Sequence, residues 1–227
     1  MNFDGSFLRH GEADMSLLKD LVLQLTPEHW SLEDTRQNRY EVHKSTQAIG
    51  LVYDEDFRHI NPTVKPAYNL FAPALRQLFA MIADCYEASP AILAKFGRRV
   101  EGYFIRVNLV KLAAGGEIAE HKDMNFSLAH SHRIHVPIIT NDKVVFKVGQ
   151  EALSMKEGEI YEINNRRTHA VVNGGTEDRV HLILDWVFPW ERCCCSDKVH
   201  PGVACSPQAC VEIDRLKIPC TCFPEAH

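Results

Sequence analysis

The 227-residue chain has no apolar run approaching the roughly 20 residues that a membrane-spanning helix requires. Its opening residues Met1-Asn2-Phe3-Asp4-Gly5 lack the basic and apolar regions of a secretory signal. A cytoplasmic protein with no membrane partner is the expectation. Positive charge is not in excess either: 25 Lys and Arg against 30 Asp and Glu give a net charge of -5. That balance argues against a general affinity for nucleic-acid backbone, and Arg98-Arg99 reads as a solvated turn. Internal repeats and low-complexity segments are missing. Cysteine is nearly missing from the body of the chain, where Cys85 stands alone. Cys193, Cys194, Cys195, Cys205, Cys210, Cys220 and Cys222 crowd the end, which marks a boundary near Trp190. No Cys-x-x-Cys pair occurs among them, and Cys220-x-Cys222 is tight for zinc ligands. In a cytosolic setting a disulfide framework is disfavoured, leaving a structural zinc site, a redox element or buried thiols for this tail.

What is present is the pattern of one sizeable core. Leu17, Leu18, Leu21, Val22 and Leu25 recur at helical spacing over residues 14–25, closed by Thr26-Pro27. A second helix is predicted over Asn69–Tyr86, with Leu70, Phe71, Leu75, Leu78, Phe79 and Ile82 as its apolar stripe. Ser89-Pro90 provides a capping hydroxyl and a proline at the first helical position for a short helix over 91–96, stopped by Gly97. From Gly102 the pattern changes to short strands over 103–112, 133–140, 143–148, 159–163, 168–173 and 179–187, separated by turn residues such as Gly115-Gly116 and Gly174-Gly175. An earlier strand over 40–53 extends one sheet. Strands of this length and spacing indicate a sandwich or barrel. The expected division is 1–100 for helices and a sheet-extending strand integral to the fold, 101–190 for the catalytic core, and 191–227 for the Cys-rich tail.

The chemistry lies in His121-Lys122-Asp123, the distant His169, and Arg179 ten residues further on. A His-x-Asp dyad with a second histidine is the sequence form of the two-histidine, one-carboxylate triad. That triad holds non-haem Fe(II), leaves coordination positions open and serves chemistry with O2. Side chains of a strand alternate, so His121 and Asp123 project together while Lys122 points away. The same rule puts Arg133 and His135 on one face against Ile134, Val136 and Ile138, and Arg179 with His181 on one face against Val180, Leu182 and Leu184. Such a polar face either meets solvent or lines a polar pocket. A guanidinium such as Arg179 grips a carboxylate bidentately, which points to a carboxylate-bearing co-substrate. His10, His29, His43, His59, His130, His132, His200 and His227 are read as surface or hydrogen-bonded residues.

From Phe104 to Trp190 the sequence resembles the aspartyl/asparaginyl β-hydroxylase family of Fe(II)- and 2-oxoglutarate-dependent dioxygenases. The resemblance is carried by Glu120-His121-Lys122-Asp123, Arg133-Ile134-His135-Val136-Pro137, Gly158-Glu159-Ile160-Tyr161 leading to His169, Arg179, and Leu184-Asp185-Trp186. Trp30, Arg36 and His43-Lys44-Ser45-Thr46 add to it, whereas the Cys-rich tail matches nothing in the family. It implies a mainly β fold with flanking α-helices and a double-stranded β-helix core, jelly-roll and cupin-like. It also implies Fe(II), 2-oxoglutarate and O2 as cofactors, with release of succinate and CO2. By the same resemblance His121 and His169 bind iron, Arg179 pairs with the distal carboxylate of 2-oxoglutarate, and Arg133 with His135 contacts the co-substrate. Some members carry glycine where Asp123 stands; here the carboxylate completes the triad. The hydroxyl residue that often assists the oxoglutarate grip is replaced by Val110, with Asn108 on the same face, and His181 is a substitute donor. The implied substrate is an amino acid, free or within a peptide, and Arg106 or Arg166-Arg167 at the pocket mouth are candidates for its carboxylate, though more in keeping with solvated positions. Two other classes compete: a cupin-type metal protein that does not use 2-oxoglutarate, and a non-catalytic binding module whose working part is the tail.

Overall fold

A computed structural model describes residues 3, 5–31, 45–55, 62–123, 128, 131–189, 199–200 and 203–204. Eight consecutive strands build the core: β4 (Tyr103–Leu112), β5 (Glu117–His121), β6 (His132–Ile139), β7 (Val144–Val148), β8 (Glu151–Leu153), β9 (Glu159–Ile163), β10 (His169–Asn173) and β11 (Arg179–Val187). They divide between two antiparallel sheets, with β9-β6-β11-β4 in one and β5-β10-β7-β8 in the other. Apart from the β7–β8 hairpin, each strand is followed by one in the opposite sheet. This is the eight-stranded double-sheet jelly roll, and the expected double-stranded β-helix is the observed fold.

The larger sheet is extended at both edges. β1 (Phe7–Glu12) pairs with β9, while β2 (Thr46–Tyr53) pairs with β4 and carries β3 (Thr63–Val64) at the far edge. The predicted early strand is thus β2; its proposed beginning at residues 40–44 lies outside the described residues. β1, β3, β5 and β8 fall outside the expected strands: Phe7-Leu8-Arg9-His10-Gly11-Glu12 does not alternate, Glu117-Ile118-Ala119-Glu120-His121 carries a single large apolar residue, and Thr63-Val64 and Glu151-Ala152-Leu153 are too short to show a period.

Helices cover the outer face of this sheet. The predicted helix over 14–25 is α1 (Ser16–Leu23), and Pro27, expected only to close it, opens a second short helix, α2 (Pro27–Ser31). Proline suits that first position because its missing N–H would have no partner there. The long α3 (Tyr68–Glu87) buries Phe71, Leu75, Leu78 and Ile82, whose spacing of four, three and four keeps one stripe toward the sheet. Against it pack Leu18, Val22 and Trp30 from α1 and α2, and Val107, Leu109, Ile134, Val136, Leu182 and Leu184 from the strands. Ser89 caps α4 (Pro90–Phe96), its side chain accepting from the Ile92 N–H, and Gly97 ends it at φ 65°.

The odd-even alternation of β6 and β11 leaves Arg133, His135, Arg179, His181 and Asp185 on the opposite, inner face. There a second apolar cluster forms from Leu112 and Ile163 of the large sheet with Ile118, Val144, Phe146, Val148 and Val171 of the small one. It fills one part of the space between the sheets; histidines and arginines occupy the rest. The Cys-rich tail is outside the described residues except for a two-residue pairing, β12 (Val199–His200) with β13 (Val203–Ala204). The zinc expectation therefore falls on residues outside the description. Cys85 is a free thiol. No helix among the described residues is long and apolar enough to cross a membrane.

Candidate active site

The small sheet brings the two histidines together. β5 ends at His121 and β10 begins at His169, and the two face each other in register with ring centroids 4.3 Å apart. Asp123 lies just past the end of β5 rather than within the strand. Its N–H donates to the Asn165 carbonyl at 3.3 Å, so the loop before β10 folds the carboxylate back over the histidines. One donor atom from each of His121, Asp123 and His169 lies within 4.8 Å of the others.

The ring orientations decide what such a cluster can do. His121 Nδ1 lies 2.8 Å from the Ala119 carbonyl, and His169 Nδ1 lies 3.0 Å from the Arg167 carbonyl. A carbonyl only accepts, so both Nδ1 atoms carry the proton and both Nε2 atoms keep a lone pair. Pinning one ring nitrogen this way is how metal-binding histidines are oriented and made better donors. Burial pushes His169 below the ordinary histidine range, against the opposing pull of Asp123, which favours the neutral, ligating form. Two neutral imidazoles and a carboxylate suit a divalent first-row metal such as Fe(II).

The large sheet faces this cluster with rows of paired residues. Arg133, Asp185 and Arg106 form one row across β6, β11 and β4; His135, Ile183 and Asn108 form the next; Pro137, His181 and Val110 the third. The polar face is therefore turned away from solvent, toward the small sheet. Arg179 is 1% exposed, and its Nη2 donates to His181 Nδ1 at 2.7 Å. That leaves His181 Nε2 as the protonated nitrogen, buried and without a hydrogen-bond partner among the described residues. His135 is also buried, and neither of its ring nitrogens has a partner there. Burial first, then Arg179, holds both rings well below the usual histidine range. They are neutral donors and acceptors, and buried polar groups of that kind call for a ligand or water to complete them. Asn108 is half-buried, opposite Ile183.

Arg133, expected to reach the co-substrate, has all three nitrogens engaged by carboxylates. Nε and Nη2 hold Asp185 at 2.8 and 2.9 Å, and Nη1 holds Asp123 at 2.6 Å. Burial would lower its pKa, but Asp123 and Asp185 raise it, so the cation persists. Arg106 and Arg166, expected to be solvated, are 6% and 8% exposed; Arg106 lies over the Tyr53 ring, 4.8 Å from its centroid. Only Arg167 of that group is exposed. Asp185 and Asn165 were not singled out as site residues. Asp185 had a visible signal, a charge inside the apolar run Leu182-Ile183-Leu184 and Trp186-Val187 of the central strand; Asn165 looked like an ordinary turn residue.

Fold and donor set define a jelly-roll protein with a candidate metal site between its sheets. The model of the aspartyl/asparaginyl β-hydroxylase family matches residues 77–189, a stretch that contains the triad and all three inner rows of the large sheet, and the chain belongs to that family of hydroxylases. No curated protein matches it. Among solved structures it is similar to an oxidoreductase of the 2OG-Fe(II) oxygenase family from Burkholderia pseudomallei, at 14% identity over 79% of this chain and 93% of that one, with a TM-score of 0.49. The viral collagen prolyl hydroxylase of Paramecium bursaria Chlorella virus-1 is 7% identical over 81% and 96%, with a TM-score of 0.44. A cupin domain from Bordetella pertussis is 18% identical over 36% and 79%, with a TM-score of 0.29.

Proposed function

We propose that the protein is an Fe(II)- and 2-oxoglutarate-dependent dioxygenase that hydroxylates an amino acid, either free or as an aspartyl- or asparaginyl-type residue of a peptide. The observation that carries the reading is the pinning of both histidines through Nδ1 beside Asp123, opposite a buried Arg179–His181 pair. His121, Asp123 and His169 hold the metal. Iron and 2-oxoglutarate, when bound, supply the oxidation: with O2, the co-substrate becomes succinate and CO2 and one oxygen atom enters a substrate C–H bond.

The chain's own part is to grip, orient and exclude. Arg179 offers its fork to the distal carboxylate of 2-oxoglutarate, and His181 Nε2–H donates to the same ligand from the adjoining position. His135 and Asn108, in the neighbouring row, complete the polar lining. Phe146, whose ring centroid is 4.9 Å from that of His135, keeps the inner end of the pocket dry. A cytoplasmic enzyme is part of this reading, with residues 101–190 as the catalytic core, 1–100 integral to it, and 191–227 a separate tail.

The test is conversion of 2-oxoglutarate to succinate by the full-length protein with Fe(II), ascorbate and O2, in the presence of amino-acid and peptide pools. Mass spectrometry should find a product heavier by one oxygen atom whose formation depends on 2-oxoglutarate. No succinate with any pool, together with unchanged 2-oxoglutarate binding in Arg179→Ala, would overturn the proposal and favour a metal protein that does not use this co-substrate.

A further inference from the structure

Asp185 lies at the centre of β11, is fully buried, and stands in register with Arg133 on β6. Its two oxygens take Arg133 Nε and Nη2 in the parallel, two-bond geometry characteristic of guanidinium–carboxylate pairs. A guanidinium is planar and rigid, so fixing two nitrogens fixes the direction of the third. That third nitrogen, Nη1, meets Asp123 Oδ2 at 2.6 Å. The same oxygen lies 3.7 Å from His169 Nε2, on the side where the metal ligands converge.

We propose that Asp185 is a positioning residue of the metal site: through the Arg133 guanidinium it fixes the Asp123 carboxylate in one orientation and restrains it to one-oxygen ligation. The inference rests on the reading of His121, Asp123 and His169 as metal ligands. It explains why a charged residue occupies the middle of the most buried strand. Asp123 sits beyond the end of β5, where the sheet's own ladder no longer sets its direction, whereas Asp185 and Arg133 are both held by the ladder. Rigidity is thus passed from the large sheet to a loop of the small one. The charges agree with this arrangement, since two carboxylates about one guanidinium leave a net negative charge that a divalent cation at Asp123 offsets. A carboxylate oxygen held by Arg133 is also restrained from swinging to chelate the metal with both oxygens, which keeps positions open for co-substrate and O2.

The test measures Co(II) binding to the full-length protein, by calorimetry and by the visible absorption of the bound ion, and needs no turnover. Asp185→Asn should weaken Co(II) binding about 10–100-fold, the usual loss for an outer-shell partner. In an Asp123→Asn background the same substitution should change nothing further. Co(II) affinity unaltered by Asp185→Asn, or losses that add in the double variant, would overturn the inference while leaving the triad intact. A wild-type protein that does not bind Co(II) would overturn the metal reading and this inference with it. Should Asp185→Asn fail to fold, as circular dichroism would show, Arg133→Lys takes its place: it keeps the cation and loses the fork, and the same non-additivity with Asp123→Asn is expected.

Discussion

His121 and His169 stand opposite one another across β5 and β10, and each turns its Nδ1 to the carbonyl two residues before it, Ala119 and Arg167. The same local device on two strands leaves two Nε2 lone pairs converging on Asp123. His121→Ala or His169→Ala removes a ligand outright and should cost metal affinity more than the roughly 10–100-fold lost with an outer-shell partner. Metal content after loading and dialysis checks this. His169 is buried and His121 only half-buried, so His169→Ala should also lower the melting temperature more.

Arg179 is the residue that separates a 2-oxoglutarate enzyme from other metal jelly rolls. Arg179→Ala should raise the dissociation constant for 2-oxoglutarate about 10–100-fold, matching the roughly 1.5–3 kcal/mol of a hydrogen bond to a charged group. Binding of metal alone should change little, because Arg179 hydrogen-bonds to His181, which is not one of the three proposed ligands. Calorimetric titration of the metal-free protein with Co(II), and of the Co(II)-loaded protein with 2-oxoglutarate, measures the two separately. Equal affinity in variant and wild type would remove Arg179 from the co-substrate site.

The jelly roll and the polar face inside it are legible in the sequence because both depend on period. β4, β9 and β11 match their expected bounds, and the alternation of Arg133 with Ile134 or Arg179 with Val180 sorts polar from apolar faces. What was not legible depends on partners distant in the chain. Asp185 is a buried charge whose meaning comes from Arg133, 52 positions away. Asn165 acquires its role only because the loop before β10 meets the end of β5. The family resemblance assigns Arg133 to the co-substrate, and nothing in the sequence shows the carboxylates of Asp123 and Asp185 that engage it in the structure. β1 is not legible because an edge strand buried on neither face shows no regular pattern.

Asp123→Gly tests whether the carboxylate is a required ligand. It leaves the two histidines and removes one partner of Arg133, so Arg133 should remain tied to Asp185. Metal affinity should fall by at least tenfold, since losing a direct ligand should cost no less than losing an outer-shell partner. Succinate formation should fall with it. Retention of full hydroxylation at saturating Fe(II) would show that two histidines suffice and that Asp123 serves the pocket in another way.

On the outer face of the large sheet, Glu162 is 2% exposed and takes hydrogen bonds from three directions. Tyr86 of α3 donates its hydroxyl at 2.7 Å, His132 of β6 lies at 2.9 Å and His10 of β1 at 3.2 Å. Burial by itself would raise the pKa of this carboxyl, but His132 and the hydrogen bonds of His10, His132 and Tyr86 hold it at about 2. Folded Glu162 therefore stays ionised while the same residue in the unfolded chain takes up a proton. The stability it contributes is fully present above the unfolded value near 4.5 and is lost as pH falls from there toward 2. Linkage places that contribution at roughly 3 kcal/mol. Glu162→Gln should accordingly be less stable than wild type at pH 7, and its stability should fall less steeply between pH 4.5 and 2. Urea unfolding of both proteins across that range gives the difference curve, in which carboxylates common to both proteins cancel. A difference that stayed constant with pH would mean that the cluster stabilises the protein by packing alone.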